Sequence, residues 1–142
     1  MYQDACAQLD PEVAAIDRHR ILIVEDDQAQ VDVLSHRLGQ QGFETISTTC
    51  GRRGLALARD EHPHVILLDL SLPDVDGLSI CGALTDDAAT WNIPIVIVSA
   101  IERPDIIRRT RAAGCRFYVR KPYDPNALLA LILAAIQLPD TL

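Results

Sequence analysis

Residues 65–77 read VILLDLSLPDVDG: four apolar residues in a row, one acid, then a polar turn closed by glycine. Val65-Ile66-Leu67-Leu68 is apolar at every position instead of every second one. A strand of that kind is covered on both faces, which is how parallel sheets bury their strands between helices. The same character recurs at Ile21–Val24 and Ile95–Val98, with weaker runs at Glu44–Thr49 and Arg116–Val119. Helical patterns lie between. Val31, Leu34 and Leu38 recur at i, i+3 and i+7, and Gly39 and Gly42 bracket the end of that helix. Further helices are expected at 51–61, stopping before Pro63, at 77–87, and at 103–113, ended by Gly114. Asp124-Pro125 opens the last one, with Asp as N-cap and Pro at the first helical position.

Strand and helix alternate five times. Right-handed crossovers then place helices on both sides of the sheet. The predicted fold class is α/β: a doubly wound five-stranded parallel sheet of order 2-1-3-4-5, flavodoxin-like. Its site should lie at the carboxyl ends of the strands, near the switch point between the first and third.

Composition narrows the function. The 142 residues set a prior of one domain. Asp plus Glu is 20 and Lys plus Arg is 13, a formal net charge of −7, and aromatics make up 4%. Neutralising phosphates needs the opposite sign and stacking bases needs aromatics, so direct nucleic-acid binding is not expected. The N-terminus lacks a basic start followed by an apolar run, so it is not a secretory signal. The longest apolar run, Ala127–Ile136, is too short for a bilayer, which needs about 20 residues. No membrane insertion is expected, and the location expected is cytoplasmic. Cys6, Cys50, Cys81 and Cys115 are spaced too widely for metal-ligand or redox motifs; they read as free thiols, three of them half-buried. His19, His36, His62 and His64 form no metal motif and read as solvated or capping residues.

The chemistry gathers at the strand ends. The first strand runs into Glu25-Asp26-Asp27, the third into Asp69, the fourth into Ser99-Ala100 and the fifth into Lys121-Pro122. In a parallel sheet these ends share one edge, with neighbouring strands about 4.8 Å apart. Acids crowded in one cleft raise each other's pKa unless a cation is present. Hard oxygen ligands in an open site suit Mg²⁺. With the Ser99 hydroxyl and the Lys121 ammonium beside it, Asp69 becomes a candidate nucleophile for phosphoryl transfer.

These segments carry a resemblance. ILIVEDD at 21–27, VILLDLSLPDVDG at 65–77, IPIVIVSA at 93–100 and YVRKPY at 118–123 resemble the response-regulator receiver domains of two-component signalling. The resemblance implies that Asp69 is the phosphoacceptor and a metal ligand. It implies that Asp26 binds Mg²⁺ directly, Glu25 mostly through water, and Ser71 through its backbone carbonyl. Ser99 would be the switch hydroxyl, Lys121 the phosphate-pairing lysine with a cis bond to Pro122, and Tyr118 the aromatic switch residue. Ser71 and Ile101 occupy the positions that tune phosphoryl lifetime, and Ile101 suggests slow self-dephosphorylation. The phosphoryl donor implied is a histidine kinase or phosphotransfer protein. The output would be a protein target or a homodimer on the face made by helix 4, strand 5 and helix 5.

The resemblance spans about residues 20–138. Residues 1–19 are then an N-terminal extension, expected to be partly flexible with a short helix at Pro11–Arg18, and 139–142 a tail. Read as a complete chain, this is a stand-alone receiver with no catalytic turnover beyond its own phosphorylation and dephosphorylation. Asp27 reads as exposed or as a helix cap, Trp91 as a packing residue, and Cys81 and Cys115 as core filler. Ala127–Ile136, apolar on every face, calls for a covering partner, a second copy or the N-terminal extension, unless its outer face is simply tolerated. Arg103, Arg108, Arg109 and Arg111 read either as a surface for acidic partners or as a solvated face. The competing readings are a phosphorylation-independent interaction module, an aspartyl-nucleophile phosphatase and an FMN protein. Ser71 stands where such a phosphatase carries its second acid. Three acids stand where FMN needs a hydroxyl- and Gly-rich loop.

Overall fold

The computed structural model describes residues 19–137. Five strands, β1 (Arg20–Val24), β2 (Glu44–Thr48), β3 (Val65–Leu68), β4 (Ile95–Ser99) and β5 (Phe117–Arg120), alternate with five helices. The helices are α1 (Gln28–Gln40), α2 (Gly51–Glu61), α3 (Gly77–Asp86), α4 (Ile106–Ala112) and α5 (Pro125–Gln137). All pairings are parallel and the order is β2-β1-β3-β4-β5, the topology expected from the sequence. The helix expected at Pro11–Arg18, Cys6 and the tail 139–142 lie outside the described residues.

Period-two alternation sorts the strands' apolar residues between two cores. Ile21, Ile23, Val65, Leu67, Val96 and Val98 face Val31, Leu34 and Leu38 of α1 and Leu128, Ile132 and Ala135 of α5. Leu22, Val24, Ile66, Leu68, Ile95 and Ile97 face Ala58 of α2, Ile80, Cys81 and Leu84 of α3, and Ile106 of α4. Burying each large aliphatic side chain contributes roughly 1.5–3 kcal/mol. A β1 apolar on both faces therefore anchors both layers at once.

Helix ends follow local chemistry. Asp27 caps α1, its carboxylate accepting from Ala29 N at 3.0 Å and Gln30 N at 3.4 Å. Gly114, after α4, has φ +98°, and a Cβ there would lie 2.6 Å from Thr85 Cγ2, so only glycine fits without strain.

Four expectations need correction. Helix α4 begins at Ile106 and not at 103, because the residue before a proline is pushed out of the helical region and Pro104 follows Arg103. Trp91 is not a packing residue; it is 55% exposed. Cys81 and Cys115 are fully buried, as core filler, so among the described residues only Cys50 is half-buried. Cys81 and Cys115 lie together, and their hydrogen bond, with burial, drives the Cys81 thiol pKa far upward. Finally, α5 is less bare than its sequence implies. Leu129, Leu131, Leu133 and Ile136 are half-buried against the same core as Leu128 and Ile132, leaving Ala127, Ala130 and Ala134 exposed.

Candidate functional site

The sheet's hydrogen-bond ladder runs past the strand ends and holds the residues beyond them. Glu25 N donates to Thr48 O at 3.1 Å, Asp69 N to Val24 O at 2.9 Å, and Lys121 N to Ser99 O at 2.9 Å. These main-chain bonds fix three chemically active residues on one edge whatever their side chains do.

The side chains converge. Carboxylate oxygens of Glu25, Asp26 and Asp69 all lie within 4.8 Å of one another. Glu25 and Asp69 are buried, at 7% and 5% exposure, while Asp26 is exposed. The Lys121 ammonium sits between the two buried acids. It donates to Glu25 Oε1 and, at 3.1 Å, to Asp69 Oδ2.

The electrostatics follow from this packing. Burial pushes Glu25 up to about pKa 7; its bonds with Asp26 and Asp69 push the same way, and Lys121 pulls against them. For Lys121, burial works against the charge, but its bonds to Glu25 and Asp69 outweigh burial and raise its pKa. The lysine is thus a built-in counter-ion for two of the three acids. Three hard carboxylate oxygens opening to solvent through Asp26 are a donor set that fits a small divalent cation.

The surrounding loops are held in place. Ser71 N donates to Asp69 Oδ1 at 2.9 Å, orienting that carboxylate; the Ser71 side chain itself is exposed. Gly77 packs so close beneath this loop that a Cβ would lie 2.5 Å from Leu70 Cα. Asp27 N donates to Glu25 Oε2 at 3.2 Å. The Lys121–Pro122 peptide is cis, as the resemblance implied.

Ser99 and Tyr118 form a second group beside the acids. Ser99 is fully buried, and its Oγ accepts from Ile101 N at 3.0 Å. Tyr118 OH donates to Ile101 O at 3.4 Å. Among the described residues, the Ser99 hydroxyl makes no hydrogen bond to Asp69 or Lys121. Residues on β4 and β5 therefore grip the same segment, Ile101, from its two backbone polar groups.

Asp74 escaped the sequence reading. Its carboxylate accepts from Gly51 N at 2.8 Å, Arg52 N at 3.0 Å and Cys50 Sγ at 2.9 Å, so it caps α2 from 23 residues away. The Cys50 bond first, then the two main-chain bonds, hold its pKa below the usual carboxylate range. Only its place in a Pro-Asp turn hinted at a role, because its partners are set by packing between loops.

Residues 21–133 match the family description "Response regulator receiver domain". The chain belongs to that family. This receiver domain is 37% identical over 102 residues to the polar-differentiation response regulator DivK of Brucella ovis, covering 72% of this chain and 83% of DivK. It is 35% identical over 121 residues to the DNA-binding dual master transcriptional regulator RpaA of Synechocystis, covering 85% of this chain and half of RpaA. Among solved structures, a CheY-like receiver domain protein from Methanospirillum hungatei superposes with a TM-score of 0.78 at 27% identity, covering 83% of this chain and 93% of that one. The BeF3-activated N-terminal receiver domain of Klebsiella pneumoniae RstA gives 0.79 at 26% identity, covering 84% and 100%. The receiver domain is thus a two-component signalling module of the CheY-like fold. Among the described residues, no helix is long and apolar enough to cross a membrane.

Proposed function

We propose that this receiver is a phosphoacceptor, with Asp69 taking a phosphoryl group from a histidine kinase or phosphotransfer protein. The observation that carries this reading is the placement of Asp69, buried on the sheet edge, oriented by Ser71 N and paired with Lys121. In the transfer, a carboxylate oxygen of Asp69 attacks phosphorus and the P–N bond of the donor phosphohistidine breaks. The electron pair returns to the imidazole. Lys121 leaves its bond with the Asp69 carboxylate and pairs with the arriving phosphoryl oxygens.

Glu25, Asp26, Asp69 and the carbonyl of Ser71 would hold Mg²⁺. When bound, Mg²⁺ offsets charge on the transferring phosphoryl group. Ser99 then turns its hydroxyl toward the new phosphoryl oxygens and gives up its bond to Ile101 N. The segment that Tyr118 grips at Ile101 O is released, and Tyr118 turns inward. A new charge on Asp69 thereby biases the conformation of the α4–β5–α5 face. A protein target or a second copy reads that face, and signalling takes place in the cytoplasm. Ile101 is half-buried and has no side-chain polar group to align an attacking water, which supports slow self-dephosphorylation. The functional unit is the domain at about 20–138, with residues 1–19 and 139–142 flanking it, and its only chemistry is its own phosphorylation state.

Incubation with a small phosphodonor such as acetyl phosphate and Mg²⁺, followed by intact mass, tests the reading. One added phosphoryl group is expected, and none in Asp69→Asn. Unchanged mass in the wild type, or equal labelling of Asp69→Asn, refutes it.

A further inference from the structure

The opposite edge of the sheet carries a groove that phosphoryl chemistry does not use. It encloses about 460 Å³, within the range of about 300–1,000 Å³ typical of occupied binding clefts. His19, His62, His64, Trp91, Arg116 and Ile136 are among the residues that shape it, and among the described residues no Asp or Glu lines it. Trp91 is 55% exposed there. The rings of His19 and His64 meet edge to face with centroids 4.7 Å apart. His64 Nδ1 accepts from Arg20 N at 2.9 Å, whereas His19 Nδ1 is buried with no partner among the described residues. An exposed indole beside apolar side chains and an unmatched ring nitrogen describe a surface built to be covered.

The chain itself supplies a matching cover. His19 lies in the groove wall, so residues 1–18 enter the molecule at this point. Such a tether holds a segment near its site at an effective concentration on the order of millimolar. The segment contains the apolar run Val13-Ala14-Ala15-Ile16. It has four acids, Asp4, Asp10, Glu12 and Asp17, against one base, Arg18. Among the described residues, the groove presents Arg116 and three histidines and no acidic counter-charge. We propose that residues 1–18 dock in this groove, with Val13–Ile16 against Trp91 and Ile136 and their acids toward Arg116. The docked segment then covers the amino edge of the sheet and the last turn of α5, leaving the Asp69 edge open.

Trp91 is the chain's single tryptophan, so fluorescence reports on the groove directly. The comparison is between the full-length protein and full-length Val13→Asp/Ile16→Asp. In the variant, Trp91 emission should shift to longer wavelength and acrylamide quenching should rise about twofold as the indole meets water. Backbone amide signals of His62, Asn92 and Arg116 should shift as well. A second variant, Arg116→Glu, should expose Trp91 in the same way, and adding Glu12→Arg/Asp17→Arg to it should restore the shielding. The proposal is overturned if Trp91 is quenched equally in wild type and variants. It is equally overturned if amide shifts stay within the mutated segment, or if shielding appears only as concentration rises, which identifies a second copy as the cover.

Discussion

The two edges of this sheet are built from the same ladder and carry opposite chemistry. On the carboxyl edge, Glu25 and Asp69 are buried carboxylates bridged by Lys121. On the amino edge, histidines, Arg116 and an exposed Trp91 surround a groove that no acid lines among the described residues. Parallel topology explains the asymmetry. Every helix starts beyond the carboxyl edge and ends near the amino edge, so the positive ends of the helix dipoles gather beside the acids and the negative ends beside the bases. Arg37, Arg59, Arg109 and Arg111 stand in the last turns of their helices accordingly. A parallel sheet thus arrives with an edge prepared for anions, and the sequence has filled it with acids that need a cation.

Removing that cation should break the comparison most severely. Lys121→Ala leaves two buried carboxylates facing each other, and metal-free stability should fall by about 3 kcal/mol in a urea titration. Millimolar Mg²⁺ should restore part of the loss if the three acids hold it, because a ligand of the folded state alone stabilises that state. If the variant is as stable as wild type without metal, the lysine is not the counter-ion of the site.

A pair of glycine substitutions sharpens the contrast. Gly77→Ala drives a methyl into the Leu70 backbone beneath the Asp69 loop, and Gly114→Ala drives one into Thr85 at the amino edge, in a left-handed conformation. Each should cost about 1–3 kcal/mol. Phosphoryl uptake per folded molecule should drop in Gly77→Ala and be unchanged in Gly114→Ala. Equal uptake in the two variants would show that the edges are not independent.

The mildest test is pH. Folded Glu25 holds its proton up to about pH 7, whereas in the unfolded chain it releases it near the ordinary value of 4.5. Between these values the folded state binds more protons, so this contribution is fully present below pH 4.5 and is lost as pH rises through 7. Metal-free melting temperature should fall over that window, and Glu25→Gln should flatten the slope. A slope unchanged in Glu25→Gln would assign it to other groups.

Much of this was readable from local pattern. Ile21–Val24, Val65–Leu68 and Ile95–Val98 announce buried parallel strands because they are apolar at every position. Asp124-Pro125 announces the start of α5. Glu25, Asp69, Ser99 and Lys121 are each the first residue past a strand or its last, so their shared edge follows from topology alone. The expected start of α4 lies three residues early because the Ile- and Arg-rich run from Ile106 carries the helical pattern, and extending it back to Arg103 ignores the restriction that Pro104 places there. Trp91 was misread because an aromatic in a short loop carries no periodicity to say which way it faces.

By itself, then, the sequence determined the strands, their parallel order and the set of polar groups along one edge, since these depend on periodicity and on where each apolar run stops. Tertiary structure alone decided that Lys121 bridges Glu25 and Asp69, that Asp74 caps α2 across 23 residues, that Cys81 meets Cys115, and that Trp91 stands open beside His19. Each of these depends on distances between segments far apart in the chain. Such distances are set by how the helices pack on the sheet, which no local pattern records.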